Sequence, residues 1–238
     1  MNPIPLPSRR HDPAANGRLR AGNGQRRPAS PRWARQAVSS PPAMTSLDPD
    51  ASTAADHVRG LLRFIGEDPE REGLLDTPKR VVMAMRDHFS GYGQDPMEIL
   101  SKTFTEVEGY DELVLLTDIE LHSHCEHHMV PFVGRAHVGY IPNGRVTGLS
   151  KLARVVDIFA KRLQVQEKLT AQIAKSIQDA LAPHGVAVVL QCQHFCMCYR
   201  GVRKPGAWTT TSKLHGIFLK SAAARAELFQ LIEMRRER

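Results

Sequence analysis

The chain has 238 residues, 42% of them apolar, enough for one substantial core with a small appendage. It contains no apolar run of about eighteen residues and no apolar stretch near its start, which excludes a spanning helix and argues against secretion. The formal net charge of +7 is that of the tail: residues 1–46 carry eight arginines against Asp12, while 24 basic and 24 acidic residues balance from Leu47 onward. A neutral folded part argues against nucleic acid as a partner.

Residues 1–50 are rich in Pro, Gly, Ser, Ala and Arg without apolar periodicity and are expected to be disordered. Three readings of this tail stand side by side: an organellar transit peptide, a segment that binds something acidic, or sequence that is not made because translation begins at Met44. Residues 51–238 form the ordered domain, with a helical segment over about 51–105 and a core over about 110–238. Val58, Leu61, Leu62 and Ile65 recur at helical spacing, and Gly66 is a fitting stop. Asp76-Thr77-Pro78 has the chemistry of a helix start, and Val81, Val82, Met85 and Phe89 follow as its apolar face. Met83 and Met85 read as core packing.

Residues 112–124 and 132–141 are rich in branched side chains and predict strands, the second closed by Asn143-Gly144. Two helices follow, one with Leu152, Val155, Val156, Phe159 and Leu163 along a stripe, the other with Leu169, Ile173, Ile177 and Leu181. After Pro183-His184-Gly185, strands are expected over about 186–200 and 208–219, the latter carrying Thr209-Thr210-Thr211-Ser212. A last helix starts near Ala222. This order is α+β: an antiparallel sheet covered on one face by helices.

The four cysteines, Cys125, Cys192, Cys196 and Cys198, cluster with histidines, which favours a metal over disulfides and a reducing compartment, the cytoplasm. Cys125 and His128, in Cys-Glu-His-His, with Cys196 from His-Phe-Cys, make a three-ligand zinc set that keeps a fourth position open. His127 and His194 then stand where general acid–base groups belong. If the strand runs to residue 200, His194, Cys196, Cys198 and Arg200 share one face. A four-ligand structural zinc site that includes Cys198 is the competing reading, and His122, His124 and His137 stay open as ligands.

Ser150 is the expected N-cap of a helix whose Lys151 and Arg154 make an anion site, against the plainer reading of an ordinary capped helix. Glu167, beside Gln166, is either a first-turn carboxylate complementing a helix dipole or a buried acceptor for two N–H groups of a planar ligand.

Cys-Glu-His-His at 125–128, Gly-Leu-Ser-Lys-Leu-Ala-Arg at 148–154, Gln-Val-Gln-Glu at 164–167, His-Phe-Cys at 194–196 and Arg200-Gly201 resemble GTP cyclohydrolase I over about residues 55–236. The resemblance implies a tunnelling fold, a toroidal homodecamer and active sites between subunits. It implies hydrolysis of GTP at C8 with ring opening, formate release and re-closure to 7,8-dihydroneopterin triphosphate, at the entry to folate or biopterin synthesis. By the same resemblance Cys125, His128 and Cys196 hold zinc, and His127 and His194 move protons. Glu167 with Gln166 reads the guanine edge, and Ser150, Lys151, Arg154, Arg200 and Arg80 hold the triphosphate. Met83 falls where some members carry a lysine. Two rivals remain: a non-catalytic zinc protein of this fold with a nucleic-acid-binding tail, and another tunnelling-fold enzyme for a related purine or pterin.

Overall fold

A computed structural model describes residues 49–105 and 108–234. The tail, with its candidate start at Met44, lies outside the described residues. No helix among them is long and apolar enough to cross a membrane.

Helix α1 (Pro49–Phe64) turns Ala51, Ala55 and Val58 onto Val82 of α2 (Thr77–His88). It ends as its sequence suggests. Gly66 takes φ 91°, its N–H reaches Arg63 O at 3.0 Å, and Glu67 N–H reaches Leu62 O at 3.0 Å, the paired bonds of a Schellman ending. The start of α2 differs from expectation. Asp76 occupies the N-cap position without capping, its backbone already near helical, and its carboxylate lies 3.7 Å from Arg80 instead. Asp95 is the clean cap, accepting from Met97 N–H at 2.8 Å at the head of α3 (Pro96–Leu100).

A two-residue strand β1 (Thr103–Phe104) pairs with β4 (Val146–Thr147). The main sheet begins with a long hairpin of β2 (Val114–Cys125) and β3 (Pro131–Ile141), bulged between Leu116 and Ile119, where Asp118 takes φ 56°. Helix α4 (Leu149–Ala160) leads through β5 (Leu163–Gln164) to α5 (Gln166–Leu181). Strand β6 (Gly185–His194), a helical turn α6 (Phe195–Cys198), β7 (Thr209–Gly216), α7 (Ile217–Lys220) and α8 (Ala222–Met234) complete the chain. The strand order is β5-β2-β3-β6-β7, antiparallel except where β5 runs parallel to the end of β2.

Leu163 does not continue the α4 stripe. Lys161 ends the helix, and the Arg162 guanidinium bonds Gly91 O at 3.0 Å and Gln94 O at 3.0 Å, which draws the chain off the helix axis. Gly91 permits this approach, since a Cβ there would collide with the Ile158 and Lys161 carbonyls.

The core lies between α4 and α5 and one face of the sheet: Leu152, Val155, Val156, Leu169, Ile173 and Ile177 meet Leu121, Phe132, Ala136, Val138, Tyr140 and Leu190. The expectation of helices on one face only is corrected. Ala187 and Val189, on the opposite face of β6, pack against Phe218, Leu228 and Ile232 of α7 and α8. The unbroken apolar run Val186-Ala187-Val188-Val189-Leu190 carries the signal, because a strand buried on both faces loses its alternation.

Candidate active site

Strand β3 separates β2 from β6, and its first residues bring the ends of both to one corner of the sheet. Phe132 pairs with His194 on one side, and Pro131 pairs with His124 on the other. The β2–β3 turn is tight. Cys125 N–H bonds Val130 O at 2.9 Å, Met129 N–H returns to Cys125 O at 2.8 Å, and Met129 takes φ 54°. This turn carries His127 and His128 out beside Cys125, whose Sγ lies 3.8 Å from His127 Nδ1 and 3.9 Å from His128 Nδ1.

Beyond His194 the chain leaves the strand and makes the turn of α6, so the expected extension of β6 to residue 200 does not occur. A helical residue advances about 100°, so Cys196 and Cys198 point to nearly opposite sides rather than sharing a face. Cys196 joins the corner: the donor atoms of Cys125, His128 and Cys196 all lie within 4.8 Å of one another. Cys198 turns inward, buried, and its thiol donates to His194 O at 3.2 Å.

These three donors fit zinc. Tetrahedral bonds of about 2.3 Å to sulfur and about 2.0 Å to nitrogen place such donors somewhat under 4 Å apart. Burial first, and the neighbouring Cys125 second, push the Cys196 thiol above its ordinary range, a cost that a cation between the sulfurs removes. The other histidines are engaged elsewhere. His124 packs on His88 with centroids 4.7 Å apart, and the buried His137 accepts from Asp118 N–H at 3.3 Å. His122 lies close enough to Asp157 for its charge to be felt there.

Arg200 brings a cation to the same corner, its guanidinium 3.1 Å from His128 Nε2 and 3.4 Å from Cys196 O. Glu167 is exposed in the first turn of α5, near enough to His194 for its charge to act on the ring. Burial nonetheless holds the His194 imidazole below its ordinary range, with Glu167 opposing the shift. The His194 ring lies flat on Phe132, centroids 4.6 Å apart and planes within 10°.

Gln166 behaves differently from expectation. Its side chain is buried, with Nε2 3.2 Å from Leu190 O, 3.0 Å from Thr209 O and 3.1 Å from Thr211 Oγ1, and Oε1 2.8 Å from His194 Nε2. Both amide atoms are engaged within the subunit. Sequence reading missed Thr211 and Thr170 in this cluster. The signal was available in the Thr-rich strand, whose alternate hydroxyls face one side.

The anion group is carried by α4, not by the strand ends and turns that make this corner. Gly148, not Ser150, precedes the first turn of α4; Ser150 and Lys151 lie in that turn and Arg154 stands at mid-helix. The other end of the helix leads into β5, which pairs with Cys125. Along α4, Ser150 and Lys151 lie about 14 Å of rise from the end that leads to Cys125, and Arg154 about 9 Å. Arg80 is exposed on α2, where it bonds Thr77 Oγ1 at 3.1 Å, and Met83 is half-buried on the same helix.

Comparison with known proteins adds an independent line. Residues 54–233 match the family model for GTP cyclohydrolase I. The GTP cyclohydrolase 1 of Sinorhizobium fredii is 53% identical over 188 residues, which cover 79% of this chain and 92% of that protein. That of Brucella suis is 55% identical over 184 residues, covering 77% and 85% respectively. Among solved structures, the archaeosine synthase QueF-Like in its apo form is similar over 44% of this chain and 93% of its own, at 21% identity and a TM-score of 0.37, too loose to bear on the fold.

Proposed function

The chain belongs to the GTP cyclohydrolase I family, and from that premise we propose that it hydrolyses GTP at C8, releases formate and re-closes the ring to give 7,8-dihydroneopterin triphosphate, the first step of folate or pterin synthesis. The single observation that carries this is the Cys125–His128–Cys196 donor triangle, with His127 beside Cys125, His194 two residues before Cys196, and Cys198 turned away.

Cys125, His128 and Cys196 would hold zinc, which when bound supplies Lewis acidity and a water nucleophile at neutral pH through its open position. His127, on the exposed turn, is placed to hand a proton to the purine ring nitrogen as the five-membered ring opens. His194, half-buried and stacked, is the second proton-transfer group. Glu167 accepts the N1–H and N2–H of guanine together. Adenine presents a lone pair at N1, so the same carboxylate repels it, and losing such paired contacts in a closed site discriminates by roughly 10⁴-fold.

Arg200 contacts the triphosphate from the donor corner. Ser150, Lys151 and Arg154 do so from a second copy of the chain, a reading supported by the place of Ser150 and Lys151 at the end of α4 away from the strand that pairs with Cys125. This supports active sites between subunits of a tunnelling-fold ring, the decamer, working in the cytoplasm. Arg80 completes the basic surround.

The test is to incubate zinc-loaded protein with GTP and follow formate and the pterin chromophore together, with Cys196→Ala as control. Both products are expected, and both vanish in the variant. Folded, zinc-loaded protein that yields neither overturns the reading.

A further inference from the structure

We infer that Gln166 is a positioning residue that holds His194 in one tautomer, with the proton on Nε2 and the lone pair on Nδ1, so that Nδ1 is the atom through which His194 exchanges protons. The inference rests on the reading of His194 as a proton-transfer group and assigns the atom that does it.

Two groups beside the Gln166 amide have fixed polarity. Leu190 O and Thr209 O are backbone carbonyls and can only accept. Both face the same end of the Gln166 amide, at 3.2 and 3.0 Å. That end must be the NH₂ group, because a flipped amide would set its oxygen against two carbonyls in a buried site. The other end is therefore Oε1, which lies 2.8 Å from His194 Nε2. Oε1 accepts only, so Nε2 carries a hydrogen. A neutral imidazole has one N–H, which leaves Nδ1 bare.

The surrounding hydroxyls agree with this assignment. Thr170 Oγ1 donates to Gln166 O at 2.6 Å, and Thr170 and Thr211 hydroxyls lie 2.6 Å apart. With the Thr170 hydrogen used on the carbonyl, the Thr211 hydrogen goes to Thr170, and a Thr211 lone pair is left for the Gln166 NH₂ at 3.1 Å. The two NH₂ hydrogens are then shared among three acceptors, Leu190 O, Thr209 O and Thr211 Oγ1. Phe132, stacked on the ring, holds its plane.

The consequence is specific. A proton leaving the reacting site goes to the Nδ1 lone pair and is returned from the same nitrogen, while Nε2–H remains on the amide throughout. With both side-chain hydrogens held by Leu190 O, Thr209 O and Thr211 Oγ1, the Gln166 amide has no free donor for the guanine edge, and the paired N–H groups of the base fall to the Glu167 carboxylate.

The tautomer can be read without substrate. In nitrogen-15 NMR of the zinc-loaded full chain at alkaline pH, with the signals assigned by their loss in His194→Gln, Nε2 of His194 is expected to be of the protonated type and Nδ1 of the pyridine type. The reverse pattern overturns the proposal. Because no turnover enters this readout, its failure is distinct from failure of the cyclohydrolase reading, which the formate and pterin assay decides. In Gln166→Met, kcat is expected to fall by at least about 10²-fold, the scale of a misdirected acid–base group, with KM for GTP within about twofold. A raised KM at unchanged kcat would place Gln166 on the base and overturn it. Should that variant fail to fold, the spectrum of the unaltered chain still decides.

Discussion

The Cys198 thiol donates to the carbonyl of His194, closing the helical turn that swings Cys196 toward Cys125. One cysteine thus shapes the backbone and the other faces the donor corner, although only Met197 separates them. Cys196→Ala should lower bound zinc to well below one per chain and abolish turnover. Cys198→Ala should keep both and lose only about 1 kcal/mol of stability with its hydrogen bond. Metal analysis beside thermal melting checks this, and zinc loss in Cys198→Ala would return it to the ligand set.

Phe132 is fully buried beneath the His194 ring. Phe132→Ala would cost about 3–5 kcal/mol through the cavity it leaves, too much to isolate a catalytic effect. Phe132→Leu keeps most of the volume and should cost about 1.5 kcal/mol or less, with kcat lowered more than KM is raised. Chemical denaturation and steady-state kinetics on the same preparation separate the two effects.

The proposed supply of Lys151 from a second copy of the chain predicts complementation. Lys151→Ala and Cys196→Ala homomers should each be inactive or nearly so. Dissociating and reassembling a mixture should restore a fraction of turnover, because some sites would then draw both intact groups from different copies. No recovery from mixtures shown to co-assemble would place the whole site in one subunit.

Glu167→Ala should retain zinc and fold, since the residue is exposed in the subunit, yet lose GTP turnover by roughly 10³-fold or more as the paired acceptor for guanine goes. Wild-type rates in that variant would leave guanine recognition without its carboxylate.

Stability should depend on pH through His215. Burial holds its imidazole below the ordinary range, Lys213 adds to the shift, Asp179 opposes it and Lys175 adds again. Burial, then His88, lowers His124 as well. A histidine whose folded pKa lies below its unfolded value of about 6.5 binds its proton mainly in the unfolded chain as pH falls. Its contribution is full above the unfolded value and is lost on acidification through the folded one. The melting temperature should therefore drop between about pH 7 and pH 5, and His215→Gln should flatten part of that drop.

Much of this architecture was legible before the structure. The 3.6-residue stripes of α4 and α5 named their buried faces, the branched runs named β2 and β3, and Cys-x-x-His with a distant His-x-Cys pointed to the residues that meet at the corner. What escaped has physical reasons. Phe195, Met197 and Tyr199 suit a strand by composition, but a thiol-to-carbonyl bond closes a helical turn there. Leu163 fits the helical period, but the Arg162 hook onto Gly91 and Gln94 ends the helix first. Gln166 looked like a ligand-reading amide because sequence cannot show which partners a long side chain already has. The open face of β6 looked solvated until α7 and α8 were seen to cover it.

That double covering has a further consequence. Strand β6 is flanked on both edges by β3 and β7 and roofed on both faces, so its amides should exchange with solvent only through opening of the whole domain. His194 stands at the end of this slowest-exchanging strand. His127 and His128 ride on an exposed five-residue turn whose amides should exchange sooner. The corner thus joins the end of a deeply enclosed strand to an exposed turn, and whatever accommodation a ligand requires would be made on the side of the turn.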